Sequence, residues 1–196
     1  MLMSSAAPAY AFGYFLPQIL HGMGFSPAMS QLLSAPPFVV ACFIAFGFAA
    51  LADRMRMRGP IIVGQNILVI VGLLLTAYST GTGPRYLGIC VGLTGTNGNI
   101  PAILSYQSNN IRNNSKRSVG TALQVGFGAI GGIYASTVFR DQDKPKYVNG
   151  MWAIIATQFF SMAAVAGMSW YFTTQNRKQK EDGRMIEGHV AFQYTL

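Results

Sequence analysis

With 196 residues, 51% apolar and 10% charged side chains and a mean hydropathy of +0.34, the chain carries far fewer ions than the roughly one quarter usual in soluble domains. That composition excludes a disordered chain, a coiled coil and an ordinary soluble enzyme, all of which need charge at a water-facing surface. The net charge of +8 comes from 14 Lys and Arg against 6 Asp and Glu, but no Lys or Arg precedes Arg54, so the excess is not the basic face that nucleic acid requires.

A helix crosses the bilayer's hydrocarbon with about 20 apolar residues. Six charge-free windows meet that length, at residues 1–20, 34–52, 60–79, 86–104, 118–139 and 150–173. They predict an all-α integral membrane protein, a bundle of six transmembrane helices over residues 1–175 followed by a tail at 176–196. The first window has no basic flank and no small-residue cleavage site, so it reads as a span rather than a signal peptide. Its abrupt apolar start at Met1 leads us to expect a chain that begins inside a longer protein. Along it Tyr10, Tyr14 and Gln18 recur at i, i+4 and i+8 on one face, ahead of an expected break at Pro17 and a loop containing Gly22, Gly24 and Pro27.

The second window ends in Asp53 and Arg54, and the third places Gln65 and Asn66 near the inner interface. In the fourth, Thr94, Asn97 and Pro101 share a face, Asn99 sits about two turns from the inner end, and Gly88, Gly92 and Gly95 invite close packing. Asn109 and Asn110 either stop this span or join an inner gate. Asn113-Asn114-Ser115 has the form of a glycosylation acceptor. In the fifth window Gly126, Gly128 and Gly131 spell the dinucleotide fingerprint, but the strand before it and the acid after it are missing, so these glycines and Gly132 read as helix packing or gating. Gln124 lies one turn before Gly128. Thr157 and Gln158 in the sixth window have no evident place.

Polar groups are costly in lipid, so Tyr10, Tyr14, Gln18, Thr94, Asn97, Asn99 and Gln124 together suggest a substrate cavity. For each amide taken singly, bonding to a neighbouring helix is the plain alternative. Cations concentrate on cytoplasmic loops. Arg54, Arg56, Arg58, Arg112, Lys116, Arg117, Arg177, Lys178, Lys180 and Arg184 fall on one side, against Arg85, Arg140, Lys144 and Lys146 on the other. Both termini are therefore expected in the cytoplasm, with the sequon unmodified. Cys42 and Cys90 lie mid-window, and His21 and His189 have no His or Cys neighbour, so no disulfide, metal or cofactor is expected, and no constellation for an enzyme is found.

The segment Leu51-Ala52-Asp53-Arg54-Met55-Arg56-Met57-Arg58-Gly59-Pro60 resembles the inter-helix loop of the major facilitator superfamily. Tyr14-Phe15-Leu16-Pro17, Gly22-Met23-Gly24-Phe25-Ser26 and Gln31-Leu32-Leu33-Ser34-Ala35-Pro36-Pro37 resemble the fungal allantoate permease group of anion:cation symporters. So do Gln107-Ser108-Asn109-Asn110, Gly126-Phe127-Gly128, Gly131-Gly132-Ile133 and Asp143-Lys144-Pro145-Lys146-Tyr147. The loop departs from the general pattern in having Ala49 where a glycine stands four residues before the aspartate.

The resemblance implies the carboxyl-terminal half of a twelve-helix plasma-membrane transporter working by alternating access, with the first and fourth helices gating the cavity, the second and fifth lining it and the third and sixth facing lipid. It implies a small organic anion or vitamin-like carboxylate as substrate and a coupled proton. With no ionic group inside the windows, the partner would be an amino-terminal six-helix half or a second copy of the chain. It also makes Asp53 a latch on the inner gate, facing the start of the fifth span, where helical N–H groups are unpaired. Local pairing with Arg54 or Arg56 is the alternative. A truncated, non-transporting membrane protein is the alternative for the chain as a whole.

Overall fold

The computed structural model describes residues 1–55, 57–139, 147–182 and 194–195. They form six helices and, among the described residues, no strand: α1 (Leu2–Gly22), α2 (Pro27–Met55), α3 (Gly59–Tyr78), α4 (Thr82–Asn110), α5 (Asn114–Val138) and α6 (Val148–Asp182). Arg56, Arg184, His189 and the motif residues 143–146 lie outside the described residues.

The helices outrun the charge-free windows because hydrocarbon thickness limits apolar length, not helix length. α2 begins at Pro27, a residue suited to a first turn whose N–H groups have no helical partner, and Ser26 Oγ accepts from Met29 N–H at 3.3 Å. α5 starts before its window because Asn113 caps it, its side-chain oxygen accepting from the N–H groups of Ser115 at 3.0 Å and Lys116 at 3.5 Å. α6 continues to Asp182, through residues expected to form a tail. Nor does Pro17 break α1, which runs on to Gly22. A helical proline loses one N–H donor and crowds the carbonyl four residues earlier, a local cost that α1 sustains at Pro17 because Leu16, Ile19 and Leu20 around it are buried in the core.

α1 and α4 occupy the middle. α1 lies along α5 and also touches α2, α4 and α6, while α4 lies along α2 and α3 and touches α5. The chain thus repeats a three-helix pattern, the first helix of each triplet resting on the second helix of the other. The third helices differ. α3 and α4 approach backbone to backbone: a Cβ on Gly72 would strike the Gly92 backbone, one on Gly88 would come within 2.8 Å of the Gly72 carbonyl, and one on Gly95 within 2.6 Å of the Gln65 carbonyl. α6 touches α1 more lightly, and a cavity of about 740 Å³ separates α1, α5 and α6. The main core joins Ala7, Phe12, Leu16 and Leu20 of α1 to Leu73 of α3, Leu93 of α4 and Ile154 of α6.

Four helices, α2, α3, α4 and α6, are long and apolar enough to cross a membrane. Leu32, Phe43 and Phe46 of α2 and Trp170 of α6 stand about 70% exposed or more, an arrangement that water penalises and lipid does not. The fold is that of a multi-pass membrane protein. α1 and α5 have the length for a span but a more polar composition, carrying Tyr, Gln, Ser, Thr and Gly along their faces.

Candidate functional site

The predicted polar face of α1 is exposed. Tyr10 and Tyr14 stack with ring centroids 6.0 Å apart, and Tyr14 is 58% accessible. Gln18 lies further along and accepts a hydrogen bond from Tyr147 Oη at 2.9 Å. Tyr147 leads into α6 with a left-handed φ of 48°, and its ring packs against the stacked pair Phe15 and Phe139, each with its centroid within 6 Å. An aromatic cluster therefore fixes this end of α1 against the joint between α5 and α6. Tyr147 had been legible only as part of a family motif.

Beside this face, α5 approaches α1 through its glycines. A Cβ on Gly131 would come within 2.6 Å of the Met3 carbonyl, Gly128 rests on Leu2, and Gly132 lies under the Tyr10 ring. Gly126 faces open space. Gln124, half-buried, lines the 740 Å³ cavity together with Met3, Leu123, Phe127 and Phe160, and its buried Oε1 has no hydrogen-bond partner among the described residues.

The polar residues of α4 divide. Thr94 is buried and its hydroxyl donates to the Cys90 carbonyl of its own helix at 2.8 Å, Asn97 is half-buried, and Pro101 is exposed. Asn99 is fully buried and is not on the Tyr10–Tyr14 face. Its Nδ2 donates to Ser5 Oγ of α1 at 3.1 Å and to Asn66 Oδ1 of α3, while Asn66 Nδ2 donates to Ser161 Oγ of α6 at 3.3 Å. Gln158, also on α6 and fully buried, donates to the Ser4 carbonyl of α1 at 2.7 Å. Four helices are thus tied by an uncharged polar cluster in which Asn99 Oδ1 and Gln158 Oε1 lack partners among the described residues. Asn66, expected near an interface, is at the level of Asn99, and Gln158, without a place in the sequence, converges on the same Ser4-Ser5 pair. No sequence signal marks these partners, since they lie 33 to 154 residues apart along the chain.

At the end of the bundle where α2 stops and α3 begins, Asp53 accepts a 2.6 Å ion pair from Arg58, with its own side chain 69% exposed. Arg54 is exposed. The Asp53 partner is thus neither Arg54 nor, among the described contacts, the start of α5. On the same side Asn109 is exposed, whereas Asn110 is buried and hydrogen-bonded to Thr195. Among the described residues no cluster of His, Cys, Asp or Glu is grouped as metal ligands would be, and Cys42 and Cys90 are free thiols.

The surface has a hydroxyl- and amide-bearing strip on α1, a cavity between α1, α5 and α6, and ionic groups at the helix ends. No family model matches the chain. It is similar to the high-affinity nicotinic acid transporter of Saccharomyces cerevisiae, 28% identical over 166 residues, covering 85% of this chain and 31% of that protein. It is also similar to the major facilitator-type transporter hxnP of Emericella nidulans, 30% identical over 183 residues (90% and 37%), and to the MFS-type transporter cnsO of Penicillium expansum, 21% identical over 195 residues (97% and 37%). The chain spans about a third of the length of these curated relatives. Their names support the major facilitator superfamily, a family of transporters rather than enzymes, as the one to which this sequence is related.

Proposed function

We propose that this chain forms the carboxyl-terminal six-helix half of a fungal secondary transporter of the allantoate permease type, working by alternating access together with an amino-terminal six-helix half. The observation that carries this reading is that nearly the whole chain aligns with transporters of which it spans about a third. The burial pattern supports it. α2 buries only Ser30, Pro37, Ala41 and Ala52, and α5 only Gly128, Gly131 and Ala135, so both helices keep broad flanks for a second bundle. The Tyr10–Tyr14–Gln18 strip lies next to α5 and would face the shared vestibule, with Asn97 and Gln124 as further polar contacts. In this reading both termini are cytoplasmic, the membrane is the plasma membrane, and Asp53, Arg54, Pro101, Asn109 and Asn110 belong to the inner gate.

The cargo we propose is a small organic anion, with a monocarboxylate such as nicotinate as the first candidate on the name of the yeast relative. Tyrosine hydroxyls and amides orient a carboxylate by hydrogen bonds, but its charge and the coupled proton need ionisable groups. Those would come from the amino-terminal half, because the charged side chains of this chain fall outside the charge-free windows. The test is uptake of labelled nicotinate and allantoate by cells expressing the chain with and without an upstream six-helix half. Uptake that requires the upstream half is the expected result. Uptake by the chain alone would overturn the dependence, and no uptake by a correctly inserted pair would overturn the transport reading for these anions.

A further inference from the structure

Residues 194 and 195 are held against the bundle by a regular set of contacts. Asn110, at the end of α4, grips both polar groups of one peptide residue: its Nδ2 donates to the Thr195 carbonyl at 3.1 Å and its Oδ1 accepts from Thr195 N–H at 2.8 Å. Asn176, on α6, does the same for the preceding residue, donating to the Tyr194 carbonyl at 2.8 Å and accepting from Tyr194 N–H at 2.9 Å. Each side-chain amide thus satisfies both backbone polar groups of one residue, as a residue of a neighbouring strand does for its hydrogen-bonded partner. Side-chain selectivity is added by Tyr194, which stacks on Phe172 with centroids 4.5 Å apart, and by the Thr195 hydroxyl, 3.2 Å from Asn110 Oδ1. The site is preorganised, because Asn110 Nδ2 also donates to the Tyr106 carbonyl at 2.9 Å and the Tyr106 ring packs on Phe172.

The gripped segment adjoins a chamber of about 360 Å³ lined by Gln107, Gln124, Met168, Phe172 and Tyr194. Gln107 Oε1 and Gln124 Oε1 are buried there without hydrogen-bond partners among the described residues. Unpaired amide oxygens are costly when dry and readily satisfied by water or a donor ligand; Gln124 also lines the 740 Å³ cavity, so it is the hydration of Gln107 that the wall of this chamber governs.

We propose that Asn110 and Asn176 form a backbone-reading clamp for a peptide segment, occupied by the chain's own Tyr194-Thr195, and that the clamped segment is a strap joining α4 to α6 and forming one wall of the chamber between them. Release of the strap frees the ends of α4 and α6 to separate and opens Gln107 further to water. The inference does not depend on the identity of the cargo.

The test is maleimide labelling of detergent-solubilised full chain carrying Cys42→Ser and Cys90→Ser. Thr195→Cys reports the clamp, since its backbone bonds are retained, and is expected to label about ten-fold faster when Asn176→Ala removes the bonds to Tyr194, the size expected for losing a pair of net-favourable hydrogen bonds. Gln107→Cys, which lines this chamber and not the 740 Å³ cavity, reports the chamber and is expected to label faster when Thr195→Pro removes the N–H whose hydrogen bond Asn110 accepts. Because Thr195→Pro lies outside every helix, it leaves the bundle folded, and an unchanged melting temperature checks this. Equal rates at Thr195→Cys with and without Asn176→Ala would overturn the clamp. Equal rates at Gln107→Cys with and without Thr195→Pro would overturn the strap as a wall of the chamber.

Discussion

Asn99 shows how little a residue's identity says about its use. From the sequence it shares an amide with Asn97 and a helix with Thr94, and the three read equally well as cavity lining. In the fold it is wholly buried and donates to two other helices. Truncating one member of a buried hydrogen-bonded set leaves its partners unsatisfied, which costs about 1–3 kcal/mol. Asn99→Ala is therefore expected to lower the stability of the solubilised chain by that amount in a thermal melt, with Asn66 and Ser5 left without its donated bonds. Tyr14→Ala, at a site 58% accessible, is expected to stay within about 0.5 kcal/mol in the same melt. If both variants melt alike, the division between a structural cluster and an exposed strip is wrong. The Asp53–Arg58 pair belongs with the second group, because an ion pair this open to water contributes little to stability.

At the scale of the element, the small-residue pattern was readable but its partners were not. Gly88, Gly92 and Gly95 announce that something packs closely on α4. That the something is Gly72 and the Gln65 backbone of α3 follows from the crossing of the two helices. A methyl group placed at Gly72 meets backbone that cannot swing aside, so Gly72→Ala is expected to cost about 1–3 kcal/mol through overpacking. Gly126 belongs to the same sort of motif in α5 but faces open space, and Gly126→Ala is expected to be neutral or to gain up to about 1 kcal/mol of helix propensity. Melting the two variants side by side decides whether the glycines act by position or merely by number. The helix ends teach a related lesson. Asn113 and Pro27 are conventional helix starts that charge-free length does not register, and Pro17 stays within α1 because the residues around it are buried in the core, which no local rule foretells.

For the whole molecule, the membrane reading came almost entirely from composition, whereas topology remains an expectation with a direct measurement. With alternate loops on one side, cysteines placed at Arg54 and at Arg117, in a chain carrying Cys42→Ser and Cys90→Ser, are expected to react with a membrane-impermeant maleimide from the same face of sealed vesicles, and a cysteine at Arg85 from the other. Labelling of the Arg54 and Arg117 sites from opposite faces would leave an odd number of crossings between them and remove the basis for a six-span bundle.

The order of residues alone determined that the chain is all-helical and suited to lipid, because hydrocarbon solvates apolar side chains and forbids ions, and both requirements are written directly in composition and spacing. Tertiary structure decided which polar groups bind the helices together and which remain on the surface. That choice depends on contacts such as Asn99 with Ser5, Asn66 with Ser161 and Asn110 with Thr195, between residues far apart in the chain, and a helical period specifies only a face, not what the face will meet.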